Sequence, residues 1–299
     1  SWVDLWSIFD FALPGVLGCL KDFNAKYQLP LTKKETDLTV LGRSLQKSVA
    51  PYMLRRLKTD VCEGLPHKYE HPCRREMPDS QIQAYMNVIY NGKIRLKNAE
   101  TKERREQILK TLFAIRDVSL HKDGATASLA GFETMPVDDI INGSARMMAT
   151  VDILQTVREK DEKAIIFLLS RKMQYVVQKV LSSKFGINVM SPINGMIMGS
   201  KRLEIIDDFQ RQPGFQVLIL SPEAAGVGLN ITAANHVIHL SRLWNPAKED
   251  QATDRSYRIG QHKDVHVYYP MAVHPRLGDG GSFDEKLDRL LSQKRQLSY

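Results

Sequence analysis

"VLILSPEAAGVGLNITAANHVIHLSRLWNPAKEDQATDRSYRIGQ", residues 217–261, sets the rhythm of the chain. "VLIL" (217–220) is too short for a helix and is uniformly apolar, as a strand buried on both faces would be. A Gly-rich turn, "AAGVGLN" (224–230), follows it. "HVIHLS" (236–241) repeats the strand pattern and leads into "PAKEDQATDRSYRI" (246–259), which starts with a proline suited to a first helical position and stops at Gly260. Gln251, Arg255 and Arg258 stand at i, i+4 and i+7, so one stripe of that expected helix is polar and cationic instead of apolar.

The same alternation extends outward. "AIIFLL" (164–169) precedes a helical pattern at 172–184, and "INVMSPI" (187–193) precedes one at 200–212. "VHVYYPMAV" (265–273) precedes "SFDEKLDRLLSQKR" (282–295). Strand–helix repetition of this kind predicts an α/β fold, a doubly wound parallel sheet with right-handed crossovers. Ligands of such sheets sit at the carboxyl ends of the strands, which points to the loops at 221–230 and 241–246.

Residues 1 to about 140 read differently. "VDLWSIFDF" (3–11), preceded by Trp2, sets Trp2, Leu5, Trp6 and Phe9 on one helical face, which could pack or lie exposed. Helices are expected from "DSQIQAYMNVIY" (79–90) and over 98–120, whose Lys97, Lys102, Arg104 and Arg105 interleave with Glu100, Glu103 and Glu106 as on a solvated face. No alternating strand is expected here. "KDGATASLAGFETMPVDDIINGS" (122–144) is small and polar and reads as a linker. The expected division is a helical region, 1–144, and a sheet domain, 145–299.

Composition sets outer bounds. Net charge is +8, apolar content 43% and charged content 25%, ordinary for a globular chain and suited to a polyanionic partner. No run reaches the roughly 18 apolar residues of a membrane span, and no secretory leader is visible. Three cysteines without a CxxC pair favour a reducing, intracellular setting. Cys62, His67, His71 and Cys73 are zinc-capable types at a spacing that fits no common finger, so no metal site is expected. A dinucleotide oxidoreductase is a poor fit, because "GVG" lies at a late strand and no GxGxxG occurs.

Residues 220–261 resemble the fifth and sixth helicase motifs of the Swi/Snf family, superfamily-two ATPases that translocate on double-stranded DNA. Other stretches are similar to the family in the same order. "VDLWSIFDFALPGVLG" is like the stretch after the first lobe's third motif, and "VAPYMLRRLKTDVCEGLPHKYE" (49–70) is like the inter-lobe segment. "KAIIFLLSRKMQYVVQKVL" (163–181) resembles the fourth motif. "NGMIMGSKRLEIIDDFQ" (194–210) carries Gly195, Arg202 and Phe209 of a further signature, and 282–295 resembles the closing brace helix.

The resemblance implies a RecA-like C-terminal lobe preceded by a helical inter-lobe region. It implies that Arg255 and Arg258 act as arginine fingers toward ATP, bound with Mg²⁺ mainly on a first lobe, with Gln251 and Asp254 ordering them. Gly226, Gly228 and Asn230 would line the seam between nucleotide and DNA. Ser170, Gly195, Arg202 and Ser221 would contact the DNA backbone. Departures from the family pattern are Glu223, Ala225, the Leu243–Trp244 pair and Leu169–Ser170–Arg171.

Neither a Walker A loop nor an acidic Mg²⁺ box occurs in these residues. The chain is therefore expected to be the C-terminal half of a motor, partnered by its own first RecA-like lobe and by duplex DNA, and unable to hydrolyse ATP alone. The alternative is a nucleotide-switched DNA- or protein-binding scaffold with an inactive first lobe. "HPRLGDGGSFDEKL" (274–287) favours a bacterial, cytoplasmic protein over a eukaryotic, nuclear one.

Overall fold

The computed structural model describes residues 2–30, 38–54, 65–100, 103–224, 228–278 and 280–296. The chain forms two compact units, Ser1–Glu63 and Gly64–Tyr299, so residues 64–144 go with the sheet and not with the N-terminal helices.

In the first unit, α1 (Trp2–Ala12), α2 (Leu20–Phe23) and α3 (Leu38–Val49) surround a small core of Phe9, Phe23, Tyr27, Leu45 and Val49. A π-turn at Asn24–Gln28 continues α2. The Trp2/Leu5/Trp6/Phe9 face packs on this core, and the Trp6 indole donates to the Gly18 carbonyl at 3.0 Å. The side of α1 left in water carries Ile8 and Phe11 instead.

The second unit is built on five parallel strands: β1 (Lys68–Glu76), β2 (Lys163–Phe167), β3 (Gln216–Leu220), β4 (His236–His239) and β5 (Val265–Val273). Their spatial order is β1-β5-β4-β2-β3. The expected α/β sheet is present, and alternate side chains divide its two faces. Ala164, Ile166, Val217, Ile219 and Ile238 face a core closed by α8 (Ala145–Glu159) and α9 (Arg171–Phe185). Ile165, Phe167, Leu218, Leu220 and Val237 face a second core closed by α10 (Gly199–Arg211) and α11 (Pro246–Thr253). A third cluster joins α4 (Asp79–Asn98), α5 (Arg104–Leu120) and α12 (Phe283–Gln296) to the end of β5.

Four expectations need correction. A nine-residue strand, β1, lies in the region where none was expected, paired in register with β5 from Lys68↔Val265 to Glu76↔Val273. Pro72 and the charged residues disguise it, and its place at the sheet edge is where a strand tolerates both. The expected strand at 187–193 shrinks to a single bridge, Ile193↔Leu220, because Pro192 offers no N–H to a ladder. The helix expected over 98–120 begins only at Arg104.

The expected linker is packed structure. It contains α6 (Leu129–Thr134) and α7 (Val137–Asn142), whose Phe132 and Ile140 are fully buried. Two lysines of α9 pin it: Lys172 Nζ donates to the Gly124 and Ala127 carbonyls, and Lys179 Nζ to those of Phe132, Glu133 and Met135. Of the zinc-capable residues, Cys62 lies outside the described residues. His71 Nε2 lies 3.0 Å from His266 Nδ1 in a stack of rings on β1, β4 and β5. Among the described residues no group of three metal-ligating side chains forms. None of their helices is long and apolar enough to cross a membrane.

One buried ionic network ties α11 to the rest. The fully buried Glu249 accepts from Arg242 Nε and Nη2 at 2.9 Å each, from the Leu243 amide at 3.1 Å and from Arg295 Nη2 at 3.0 Å. Arg242 also reaches Asp288 and lies 4.0 Å from the Tyr269 ring centroid, while Arg295 reaches Asp250. Burial alone would raise the Glu249 carboxyl, but His239 when charged and the Arg242 guanidinium bring it down to about 2. A second buried pair, Arg146 with Asp284, fixes the start of α12.

Two stability measurements check this architecture. Phe132→Ala is expected to destabilise the protein by about 3–5 kcal/mol in urea unfolding, since a docked aromatic is removed; a mere linker would lose almost nothing. Glu249→Gln is expected to cost about 3–5 kcal/mol at neutral pH by leaving two arginines short of their buried partner. A depressed carboxyl stabilises fully above its ordinary 4.5 and loses that contribution as pH falls toward about 2, so the gap to wild type should close across that window.

Candidate functional site

The carboxyl ends of β2, β3 and β4 gather one set of candidate residues. Ser170 caps α9 just beyond β2, its Oγ accepting from the Met173 amide at 3.4 Å. Ser221 directly follows β3; its amide donates to the Ile193 carbonyl at 2.8 Å and its Oγ accepts from the Ala224 amide at 3.2 Å. Gly195 sits exposed in the turn between Ile193 and α10, where an added Cβ would meet nothing within 4 Å. Arg202, in the first turn of α10, donates Nε to the Ile197 carbonyl at 2.8 Å.

A buried relay holds these turns together. Gln174 Nε2 donates to the Leu168 carbonyl at 2.7 Å, Asn194 Nδ2 to Gln174 Oε1 at 3.1 Å, and the Met196 amide to Asn194 Oδ1 at 3.0 Å. Sequence reading passed over Gln174 and Asn194. A fully buried glutamine among apolar helix positions is their only sequence signal.

The second set lies elsewhere. Asn245 caps α11 by accepting from the Ala247 amide, as the Asn-Pro start predicts, but the helix ends at Thr253, short of both arginines. The helical stripe of Gln251, Arg255 and Arg258 is therefore overturned. Residues 254–261 form successive turns, in which Arg255 N bonds Ala252 O and Arg258 N bonds Ser256 O. The α-helical ladder breaks at Arg255, whose amide turns to Ala252 O at 3.2 Å, and the Arg255 carbonyl accepts from the Ile231 amide at 2.9 Å.

α11 runs back from the carboxyl end of β4, so this loop lies toward the amino ends of β4 and β5 and away from the edge where the ligand loops were expected. Gln261 is its organiser. Its Nε2 donates to the carbonyls of Thr232, Ala234 and Ser256, and its Oε1 accepts from the His262 and Lys263 amides. Gln261 is nearly fully buried, and its role was legible only as the last letter of the Arg-x-Gly-Gln tail. Below Thr253, His239 Nε2 lies 2.8 Å from Thr253 Oγ1, and burial lowers this histidine to about 4, so it stays neutral at pH 7.

The two arginines differ. Arg255 is 7% exposed, and among the described residues its buried Nε has no hydrogen-bond partner. Burial, and next the charge of Arg258, lower its affinity for its proton, with Asp254 acting the other way. Arg258 is exposed. Gln251 is exposed on α11 and makes no hydrogen bond to either arginine among the described residues. Glu249 and Asp250, the other nearby acids, are engaged by Arg242 and Arg295. Gly228 takes φ +61°, a left-handed conformation that a side chain would strain, and Asn230 follows it exposed, one residue before Ile231. Gly226 lies outside the described residues. The charge of Arg258 is felt at the partly desolvated Arg255, an arrangement that an anion would relieve.

A family model described as the helicase conserved C-terminal domain matches residues 145–260, and one described as the SNF2-related domain matches residues 1–123. Zorya protein ZorD of Escherichia coli O139:H28 is 37% identical over 99% of this chain and 27% of its own length. YwqA of Bacillus subtilis, named as a candidate ATP-dependent helicase/translocase, is 34% identical over 99% of this chain and 30% of its own length. The chain thus spans under a third of either relative. Among solved structures, the Sulfolobus solfataricus SWI2/SNF2 ATPase core in complex with dsDNA is similar with a TM-score of 0.61 and 31% identity, covering 98% of this chain and 58% of that one. Five parallel strands flanked by helices, both family matches in order and this likeness converge: the chain belongs to the SWI2/SNF2 family of ATPase cores.

Proposed function

We propose that this chain is the C-terminal half of a DNA-stimulated ATPase that translocates along double-stranded DNA. In this reading Arg255 and Arg258 are arginine fingers that reach ATP and Mg²⁺ held mainly by a first RecA-like lobe of the same protein. The observation that carries it is the cationic pair itself. A partly desolvated guanidinium keeps a buried Nε without a hydrogen-bond partner among the described residues, within electrostatic reach of a second, exposed arginine, while Glu249 and Asp250 are taken by other arginines and only Asp254 acts against the pair. Charge spreading over a transferring phosphoryl group would complete that pair. Asp254 tempers it, Gln261 holds its loop, and Gln251, Gly228 and Asn230 border the same seam.

Ser170, Gly195, Arg202 and Ser221 form the DNA-backbone surface at the carboxyl edge. Hydroxyls, an open glycine backbone and an arginine suit phosphate contacts that grip without reading sequence. Closing the lobes around ATP and reopening them would then move two gripping surfaces along the duplex. The chain's +8 charge and the dsDNA complex of its structural neighbour support this reading. In this reading the setting is bacterial and cytoplasmic, although similar proteins occur in eukaryotes as well as in Escherichia coli and Bacillus subtilis.

ATP hydrolysis by the full-length protein, with no DNA, single-stranded DNA or duplex DNA, tests the proposal. Duplex should stimulate the wild type, and Arg255→Ala or Arg258→Ala should each lower turnover by roughly a thousandfold or more. Turnover that survives both substitutions would reject the finger assignment. A wild type silent with every DNA would replace the motor with the nucleotide-switched scaffold.

A further inference from the structure

Phosphate contacts leave one feature of the carboxyl edge unexplained. Met196 and Met198 project into water, 74% and 72% exposed, while Ile197 between them turns inward against the core under α10. Their turn is braced. The Met196 amide bonds Asn194 Oδ1, the Ile197 amide bonds the Asn194 carbonyl at 3.1 Å, and the Ile197 carbonyl accepts from Arg202. Asn194 is in turn held by Gln174. Two large apolar side chains are thus presented together from a fixed backbone, which single exposed residues on a surface do not require.

Their surroundings select the occupant. Gly195 precedes the pair, Arg202 follows it with Lys201, which pairs with Glu204 at 2.7 Å, and the first turn of α10 has no side-chain cap, so its amides face outward beside the methionines. An apolar tip ringed by cations and amides matches an anionic polymer with an apolar seam. Duplex DNA offers this where sugar edges line the minor groove between two phosphate rows, and proteins do insert methionine there. We infer that Met196 and Met198 enter the minor groove of bound duplex as an apolar pair, while Arg202 and the start of α10 hold the flanking phosphates. The inference rests on the DNA-translocase reading and adds a contact to it. The flexible thioethers adapt to any base step, so the grip stays indifferent to sequence.

Binding of the full-length protein to duplex DNA across a salt series tests it. The Met196→Ser/Met198→Ser double variant should bind about tenfold more weakly at every salt with an unchanged salt slope, because an apolar contact releases no counterions. Arg202→Gln should instead lower the slope by about one. Met196→Leu/Met198→Leu should keep wild-type affinity, and thermal unfolding should be unchanged in both double variants because the side chains are exposed. On duplex saturated with netropsin in its minor groove, the wild type should lose affinity and the serine variant should lose less. A serine variant that binds like a duplex-binding wild type, or one that loses salt slope, overturns this inference alone. A wild type that binds no duplex overturns the translocase reading and this inference with it.

Discussion

The carboxylate of Glu249 is the point on which the functional half of the molecule turns. It is fully buried and accepts four hydrogen bonds, from Arg242 twice, from the Leu243 amide and from Arg295. Hydrogen bonds to a buried charge are worth about 1.5–3 kcal/mol each, and losing a partner costs more than the bond because a charge is left stranded. The result is that α11 has one angle of departure from β4, set jointly by the 241–245 loop, the Tyr269 ring and the C-terminal helix. The same network withdraws Glu249 and Asp250 from the arginines that follow, so that Asp254 is the acid acting on Arg255.

Two surfaces emerge from one sheet. Strands β2, β3 and β4 end together, and their turns carry Ser170, Ser221 and the Gly195 turn, joined through Gln174 and Asn194. The loop from β3 then crosses to the start of β4 with no helix longer than a turn among its described residues, and on the way Ile231 meets Arg255 and the Gln261 side chain stitches the arginine turns to residues 232–234. Ser221 and Asn230 therefore stand at opposite ends of a single crossing. A shift of that crossing would be felt at both ends.

Much of the fold was legible in short apolar runs. Residues 164–167, 217–220, 236–239 and 265–273 are strands, short stretches rich in β-branched, aromatic and other apolar residues that recur between helical patterns. β1 was not legible, because its alternating Tyr69, His71 and Cys73 are interrupted by Pro72 and flanked by charges. Only pairing with β5, far away in the chain, makes it a strand. The segment 122–144 looked like a linker for a related reason: its few large apolar residues are buried by α9, whose lysines also satisfy its carbonyls.

The sequence by itself determined the alternation of strand and helix, the two-sided core and the presence of two closely spaced arginines after α11. Residue volume and hydrophobic period decide those features locally. Where α11 stops was decided only in the tertiary structure. Nothing between Gln251 and Arg258 forbids a helix, and the periodicity favours one. The carbonyl of Arg255 goes instead to the amide of Ile231, and the amide side chain of Gln261 claims carbonyls of two separate turns. A hydrogen bond from a distant loop outbids the next helical one, since the peptide groups on both sides must be satisfied once they are buried.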